Sequence, residues 1–539
     1  MTNKDKTADL ILTDASIWTA NDQQPRAEAM AVKNDKILAV GNSERILRYR
    51  DEKSEIVELE GRFICPGFID AHIHLIAGGF QLQSVDLRDA EAPPEFENRI
   101  ADFARKSEPG RWILGGGWDG SDWESLPRKE WIDDVTQDNP VFVRRQDMHM
   151  GLANSLALEK AGIDKEIGDP EGGTILRDAS GEPTGILKDN AMKLVQECIP
   201  PFTDEEMDGA LDAAMQYLSS NGVTSVHQMW YSEDPDRHRA CFERAKKENR
   251  LNARIYQMYP LEEWERLKEV TEAQGRGDHW VKVGGLKSFV DGSLGSRTAL
   301  FNDPYIDQPG QSGLLVNEPA ELKDWIRNAD RAGLQVTVHA IGDKANRLLL
   351  NIYKKVFTEN GPRDRRFRIE HAQHLLREDI PRFAELNVIP SMQPWHMIDD
   401  GRWMGKALDA DRLKMAYAFR SLADSGATLV FGSDWYVAPA DPLGGIFASV
   451  TRMTLDGKNP EGWIPEQKIT VEQALRAYTK NAAYASFDEE IKGSLEPGKL
   501  ADFVVISNDP TRVKPAEIRN IQVERTYVGG KLVFKAKEL

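Results

Sequence analysis

The sequence predicts an α/β chain built on a (β/α)8 TIM barrel, with a composite β-sandwich made from both termini and a subdomain inserted after the first barrel strand. Three observations predict it. Eight short β-rich runs are spaced through the middle of the chain, several of the intervals between them carry helical periodicity, and the two ends share a strand-and-turn texture that the middle lacks.

The eight runs are FIDAHIH, GVTSVHQM, ARIYQMY, GGLKSFVDG, QVTVHAIGD, FRIEHAQH, VIPSMQP and TLVFGSD. With His72, His227, Met258, Lys287, His339, His371, Met392 and Asp434 as markers, runs two to eight follow one another at steps of 21 to 52 residues. Such steps hold a strand, a helix and their loops, and about 250 residues make eight such units. The segments Glu321 to Ala332 and Asp411 to Ala423 place apolar residues three and four apart, as a helix does. The first step is 155 residues, which implies an insertion.

At the N-terminus, ADLILTDASIWTA, AMAVKNDKILAVG and SEIVELEGRFICPG alternate in period two and predict short antiparallel strands. GSLEPGKLADFVVIS, QVERTYVGG and KLVFK repeat the texture at the C-terminus, with Gly529-Gly530 as a tight turn. The expected division is 1–64 with 488–539 for the sandwich, 65–79 with 201–487 for the barrel, and 80–200 for the cap. A chain of 539 residues has length for two or three cores.

A formal charge of −18 argues against a nucleic-acid partner, because phosphate binding needs a basic face. Cys65, Cys198 and Cys241 cannot all pair and show no CxxC spacing, which fits a reducing compartment. The sequence begins MTNKDKTADLILTD, without a signal-like apolar stretch, and no apolar run approaches ~18 residues. A cytoplasmic location and no membrane partner are expected.

The chemistry starts at Asp70-Ala71-His72-Ile73-His74. Residues two apart on a strand share a face, so His72 and His74 present both imidazoles in one direction. Neutral imidazole suits borderline ions such as zinc. An HxH pair recurs by chance, and its weight here comes from company. Four later runs each end on a metal-competent residue, Lys287, His339, His371 and Asp434. The C-terminal strand ends of a (β/α)8 barrel converge on one face, where these residues would meet.

PGFIDAHIHL, VGGLKSFVDGS, VHAIGD, RIEHAQ and FGSDW together resemble the amidohydrolase superfamily, and within it amidohydrolase family 3, the branch with N-substituted formamide deformylase-like enzymes. ILGGGWD, ANSLAL, GEPTGILKD, SMQP, ALRAYTKNAAYA and GSLEPGKLADFVV extend the resemblance over nearly the whole chain. It implies a zinc-type binuclear centre, with a single ion left open. His72, His74 and Asp434 would bind the first ion, and His339 and His371 the second. Lys287 would bridge them as a carbamate, formed with carbon dioxide once burial or nearby cations depress its pKa. A metal-activated hydroxide would attack the substrate, Asp434 would carry the proton to the leaving nitrogen, and His227 would meet the substrate or the oxyanion.

The implied reaction is hydrolysis of a non-peptide C–N bond in a linear amide or N-substituted formamide. An ester, lactone or cyclic amide, or a ring amine to be deaminated, would suit the same ligands. A non-catalytic barrel scaffold is the alternative from another class, and the presence of all six ligand candidates counts against it. The partner expected is a small molecule, with an apolar or aromatic substituent if Trp395 and Trp435 wall the pocket; a homodimer is left open.

Several residues have plainer readings. His227 suits a satisfied structural histidine as well as a substrate contact, and Trp118, Trp123 and Trp230 suit packing as well as a pocket. His149, in DMHM, aligns with a family motif but also reads as local structure. His374 is expected to pack, while His396, His238 and His279 are expected to be exposed. Lys188 reads as a surface lysine. Gly115 to Gly120 satisfies GxGxxG, but SDWESLP follows with no helical face to receive a pyrophosphate. A tight loop near the barrel mouth is expected there.

Overall fold

Eight strands pair in chain order to form the barrel of the computed structural model: β1 (Phe68–Ile73), β2 (Val223–Gln228), β3 (Arg254–Pro260), β4 (Val281–Phe289), β5 (Gln335–Ala340), β6 (Arg368–His371), β7 (Ile389–Met392) and β8 (Val430–Phe431). All neighbouring pairs are parallel. The structure describes residues 7–88, 90–120, 123–145, 149–231 and 234–537. A parallel sheet covered on both faces has no solvated side, so its strands read as apolar runs rather than strict alternation. β1, β2, β3, β5, β6 and β7 are accordingly buried along their whole length.

The seam between β8 and β1 closes beyond the end of β8. The Asp434 amide donates to the His72 carbonyl at 2.7 Å, and the His74 amide donates to the Trp435 carbonyl at 2.7 Å. Three candidate ligands therefore belong to the bonds that close the barrel. At the start of β1, Gly67 is required by space, since a Cβ there would lie 2.2 Å from Thr224 Oγ1.

The helix predicted around Glu321 to Ala332 forms as Pro319–Arg331, burying Leu322, Ile326 and Ala329. The segment from Asp411 to Ala423 departs from expectation, forming two short helices, Ala410–Leu413 and Phe419–Asp424. Between them Tyr417 adopts φ +49°. Its amide donates to Gln373 O at 2.6 Å and its carbonyl accepts from Arg452 Nη1 at 2.9 Å. These tertiary bonds take the place of the helical ones.

Both ends of the chain share one sheet. Phe503–Ile506 pairs antiparallel with Phe63–Pro66, and Ile17, Ile64, Phe503 and Val505 pack in a core with Leu12, Met30 and Val32 of a second sheet. Not all of the terminal pairings are antiparallel. Leu10–Thr13 runs parallel to Glu55–Glu58, and Ser16–Trp18 runs parallel to Phe63–Pro66. Period-two alternation reports which face is buried and is blind to strand direction. The Gly529-Gly530 turn has φ +57° and +72° and joins Val523–Val528 to Lys531–Lys535 as a two-residue hairpin.

The chain divides into two units, Met1–Leu75 with Met215–Leu539, and Ile76–Ala214. The second has its own six-stranded sheet. The glycine run lies in its strand Ile113–Trp118 rather than in a tight loop. A Cβ on Gly115 would meet Val85 O at 2.3 Å, and one on Gly116 would meet Arg144 O at 2.0 Å, so close backbone approach accounts for the glycines. Trp118 packs there against Phe96 and Trp123. Ser121, Asp122 and the residues 146–148 before His149 lie outside the described residues. His149 itself is exposed and pairs with Asp189 at 2.8 Å. No helix among the described residues is long and apolar enough to cross a membrane.

Candidate metal centre

The ends of β1, β5 and β6 and the residues after β8 bring five candidate ligands, His72, His74, His339, His371 and Asp434, into one cluster. The His72 ring centroid lies 5.7 Å from that of His74 and 5.0 Å from that of His371, and His339 and His371 are 4.5 Å apart. Asp434 Oδ1 is 3.4 Å from His72 Nε2 and 3.1 Å from His74 Nε2. His371 and Asp434 have φ of +74° and +60°, and Ala372 follows at +43°. Non-glycine residues in the left-handed region cluster at functional sites, where surrounding bonds hold the strained turn.

An imidazole can ligate through one nitrogen when the other is engaged. His72 Nδ1 donates to Glu370 Oε2 at 2.5 Å, His371 Nδ1 to Gln393 Oε1 at 2.8 Å, and His339 Nε2 to the Gly292 carbonyl at 3.0 Å. These partners leave Nε2, Nε2 and Nδ1 respectively as lone-pair donors. Carboxylate, amide and carbonyl partners of this kind fix tautomer and ring orientation in metal sites. Asp70 ties β1 to the residue before Asp434. Its Oδ1 accepts from His72 N at 3.2 Å and Ser433 N at 2.9 Å. Burial nevertheless pushes its carboxyl up to about 6.

The titration states suit ligands. Burial, reinforced by the Lys287 charge, lowers His72 to about 4 and His339 to about 3. Burial and His339 hold His371 well below its ordinary value. Burial opposes ionisation of Asp434, but His72, His74 and His371 hold its carboxyl well below the usual range. Lys287 is buried on β4 with Nζ 4.9 Å from the Phe289 ring centroid. Burial lowers it to about 8 against the pull of Glu370 and Asp434, so a neutral amine is accessible near neutral pH.

Below these residues lies a polar network. Arg368 donates to the Ala71 carbonyl at 2.5 Å, to Ser391 Oγ at 2.8 Å and to His227 Nδ1 at 2.8 Å. Its Nε lies 2.7 Å from Glu370 Oε1, in ionic contact but without hydrogen-bond alignment. Burial raises the Glu370 carboxyl, but Arg368 and His72 outweigh it and bring it down to about 2. His227 is fully buried, and because its Nδ1 accepts from Arg368, its proton sits on Nε2. It belongs to this network rather than to the groups around Asp434.

Two sets of donor atoms lie within 4.8 Å of one another among the described residues: His72, His74 and Asp434, and His371, His396 and Asp434. Neutral nitrogens and one carboxylate at this spacing fit divalent transition ions. His396 was expected to be exposed. It lies instead on helix Pro394–Asp400, with a side chain only 13% exposed. A signal was present, since SMQPWH places it just after the seventh run, where strand-end reasoning applies as it does to the fourth, fifth, sixth and eighth. Glu370 was also readable, because alternation in FRIEH puts it on one face with Arg368. His238 is buried on helix Pro235–Lys247, whereas His279 is 40% exposed at its side chain and His374 is buried against Phe301.

The exposed aromatics beside His74 are tyrosines. Tyr231 is 57% and Tyr436 39% exposed, and each presents an edge-to-face ring 6.1 Å from the His74 centroid. Trp435 is 3% exposed and packs on Tyr217 at 4.8 Å, so it belongs to the core. Trp395 lines a cavity of about 550 Å3 with Asp441, Phe447 and Arg519, and no histidine among the described residues borders it.

The model of the amidohydrolase family matches residues 55–534. The chain is 41% identical to Protein LONG AFTER FAR-RED 3 of Arabidopsis thaliana, over 98% of this chain and 92% of that protein. It is 28% identical to an N-substituted formamide deformylase of Arthrobacter pascens over 98% of both chains. An uncharacterized metal-dependent hydrolase from Pyrococcus furiosus superposes with a TM-score of 0.78 at 30% identity, covering 93% of this chain and 100% of that one.

Proposed function

The chain belongs to the amidohydrolase family, and from that premise we propose that it hydrolyses a carbon–nitrogen bond other than a peptide bond, in a linear amide or N-substituted formamide. The observation that carries the reading is the convergence of His72, His74, His371 and Asp434, with the second nitrogens of His72 and His371 engaged by Glu370 and Gln393. Likeness to the formamide deformylase over nearly full length favours the formamide.

His72, His74 and Asp434 would hold one ion, and His339 and His371 a second, with zinc the best match to nitrogen-rich ligands. Lys287, as a carbamate, would offer an oxygen to each. Such ions supply Lewis acidity, which acidifies water and polarises a carbonyl. Asp434, held ionised by its histidine neighbours, takes the proton from the attacking water and delivers it to the departing nitrogen. Glu370 keeps Nε2 of His72 facing the centre. His227 acts as a positioning residue by holding Arg368. Tyr231 and Tyr436 would take an apolar or aromatic substituent next to the scissile bond.

The test is a panel of N-substituted formamides and linear amides offered to the metal-replete protein, with amine release as the readout. Turnover that disappears in His72→Ala is expected. Turnover confined to esters, lactones, cyclic amides or ring amines would reassign the substrate, and no turnover of any of them would overturn hydrolysis itself.

A further inference from the structure

Asp434 is common to both sets of donor atoms, and its two oxygens face different histidines. Oδ1 lies 3.4 Å from His72 Nε2 and 3.1 Å from His74 Nε2, while Oδ2 lies 4.0 Å from His396 Nε2. Metal–ligand bonds of about 2.0–2.2 Å at tetrahedral angles put two ligands of one ion roughly 3.4 Å apart. The two separations on the Oδ1 side, 3.4 and 3.1 Å, meet that span, and the 4.0 Å on the Oδ2 side lies a few tenths of an ångström beyond it.

His396 Nε2 is buried and has no hydrogen-bond partner among the described residues. Buried polar nitrogens are almost always satisfied, so an orphan aimed at a carboxylate marks a place where something completes it. Its ring lies nearly parallel to that of His371, at 11° and a centroid separation of 6.3 Å. His371 in turn has Nδ1 engaged by Gln393, which leaves Nε2 as its donor. His339 reaches the cluster with its Nε2 engaged by Gly292, and it is absent from the set that His371 and His396 form with Asp434.

We propose that His396 is a ligand of the second ion, together with His371 and Asp434, and that Asp434 bridges the two ion positions through its separate oxygens. The proposal rests on the reading of the cluster as a metal centre. It adds a ligand from the seventh strand end and makes Asp434, besides Lys287, a link between the ions.

Zinc or cobalt titration of the metal-free 539-residue protein, followed by calorimetry and by metal analysis after gel filtration, tests it without recourse to activity. Wild type should bind two ions. His396→Ala should weaken one of them by more than the roughly 10- to 100-fold expected of an outer-shell partner, and leave the other unchanged. His74→Ala should weaken the opposite ion, and Asp434→Asn should weaken both. His396→Gln, which keeps bulk and polarity on the helix, should show the same selective loss with an unaltered circular dichroism spectrum. Two ions bound to His396→Ala with wild-type affinities would overturn the assignment of His396 and leave the centre standing. Asp434→Asn affecting one ion alone would overturn the bridge, and wild type that binds no ion would overturn the metal centre as well.

Discussion

Glu370 Oε2 lies 2.5 Å from Nδ1 of His72, and both side chains are buried in the barrel interior. The carboxylate is itself held by Arg368. A chain of charge thus runs from Arg368 through Glu370 to the first candidate ligand. Glu370→Gln keeps the shape but replaces an acceptor with an amide that can turn a donor toward Nδ1. Metal affinity should fall about 10- to 100-fold with the fold retained, as for other outer-shell partners. Calorimetric titration of the variant against wild type reads this directly, and unchanged affinity would remove Glu370 from the site.

Lys287→Ala should abolish most of the proposed hydrolase activity. If the lysine acts as a carbamate, a short carboxylic acid such as propionate can supply the missing oxygens, and part of the activity should return with millimolar acid. Steady-state rates with and without acid decide the matter. Full activity and full metal content in the variant would show that no bridge from Lys287 is needed.

Tyr231→Ala and Tyr436→Ala should raise KM for formamides bearing an aromatic N-substituent. Each lost ring contact is worth about 0.5–1.5 kcal/mol, or roughly a 2- to 10-fold change. Formamides with a small N-alkyl group should be spared. Equal effects on both substrate types would place the rings outside the substituent's path.

Arg254 on β3 donates to both oxygens of Asp502, at 2.7 and 2.8 Å, and stacks over Trp280 at 4.4 Å. The pair ties the barrel to the loop that opens strand Phe503–Ile506. Removing one partner strands a buried charge, so Asp502→Ala should cost about 3–5 kcal/mol of stability. Denaturant unfolding should show this, while turnover at low temperature stays near wild type because neither residue belongs to the donor groups.

The order of the barrel strands was legible because strands buried on both faces leave apolar runs, and His72, Lys287, His339, His371 and Asp434 punctuate their ends. Features set by contacts distant in sequence were not legible. Tyr417 breaks a helical pattern because Gln373 and Arg452 bind its backbone. Gly115 and Gly116 look like a loop because the neighbouring strands that crowd them leave no mark within the motif. His396 looked like a loop residue because Pro394 before it and the polar DDGR after it disguise a short helix that brings its Nε2 to 4.0 Å from Asp434 Oδ2.

The most direct measurement is hydrolysis of an N-substituted formamide by one preparation before chelation, after removal of metal, and after zinc is returned, with metal content determined at each stage. Activity should vanish with the metal and return with it. Full turnover by verified metal-free protein would contradict a metal-dependent hydrolase.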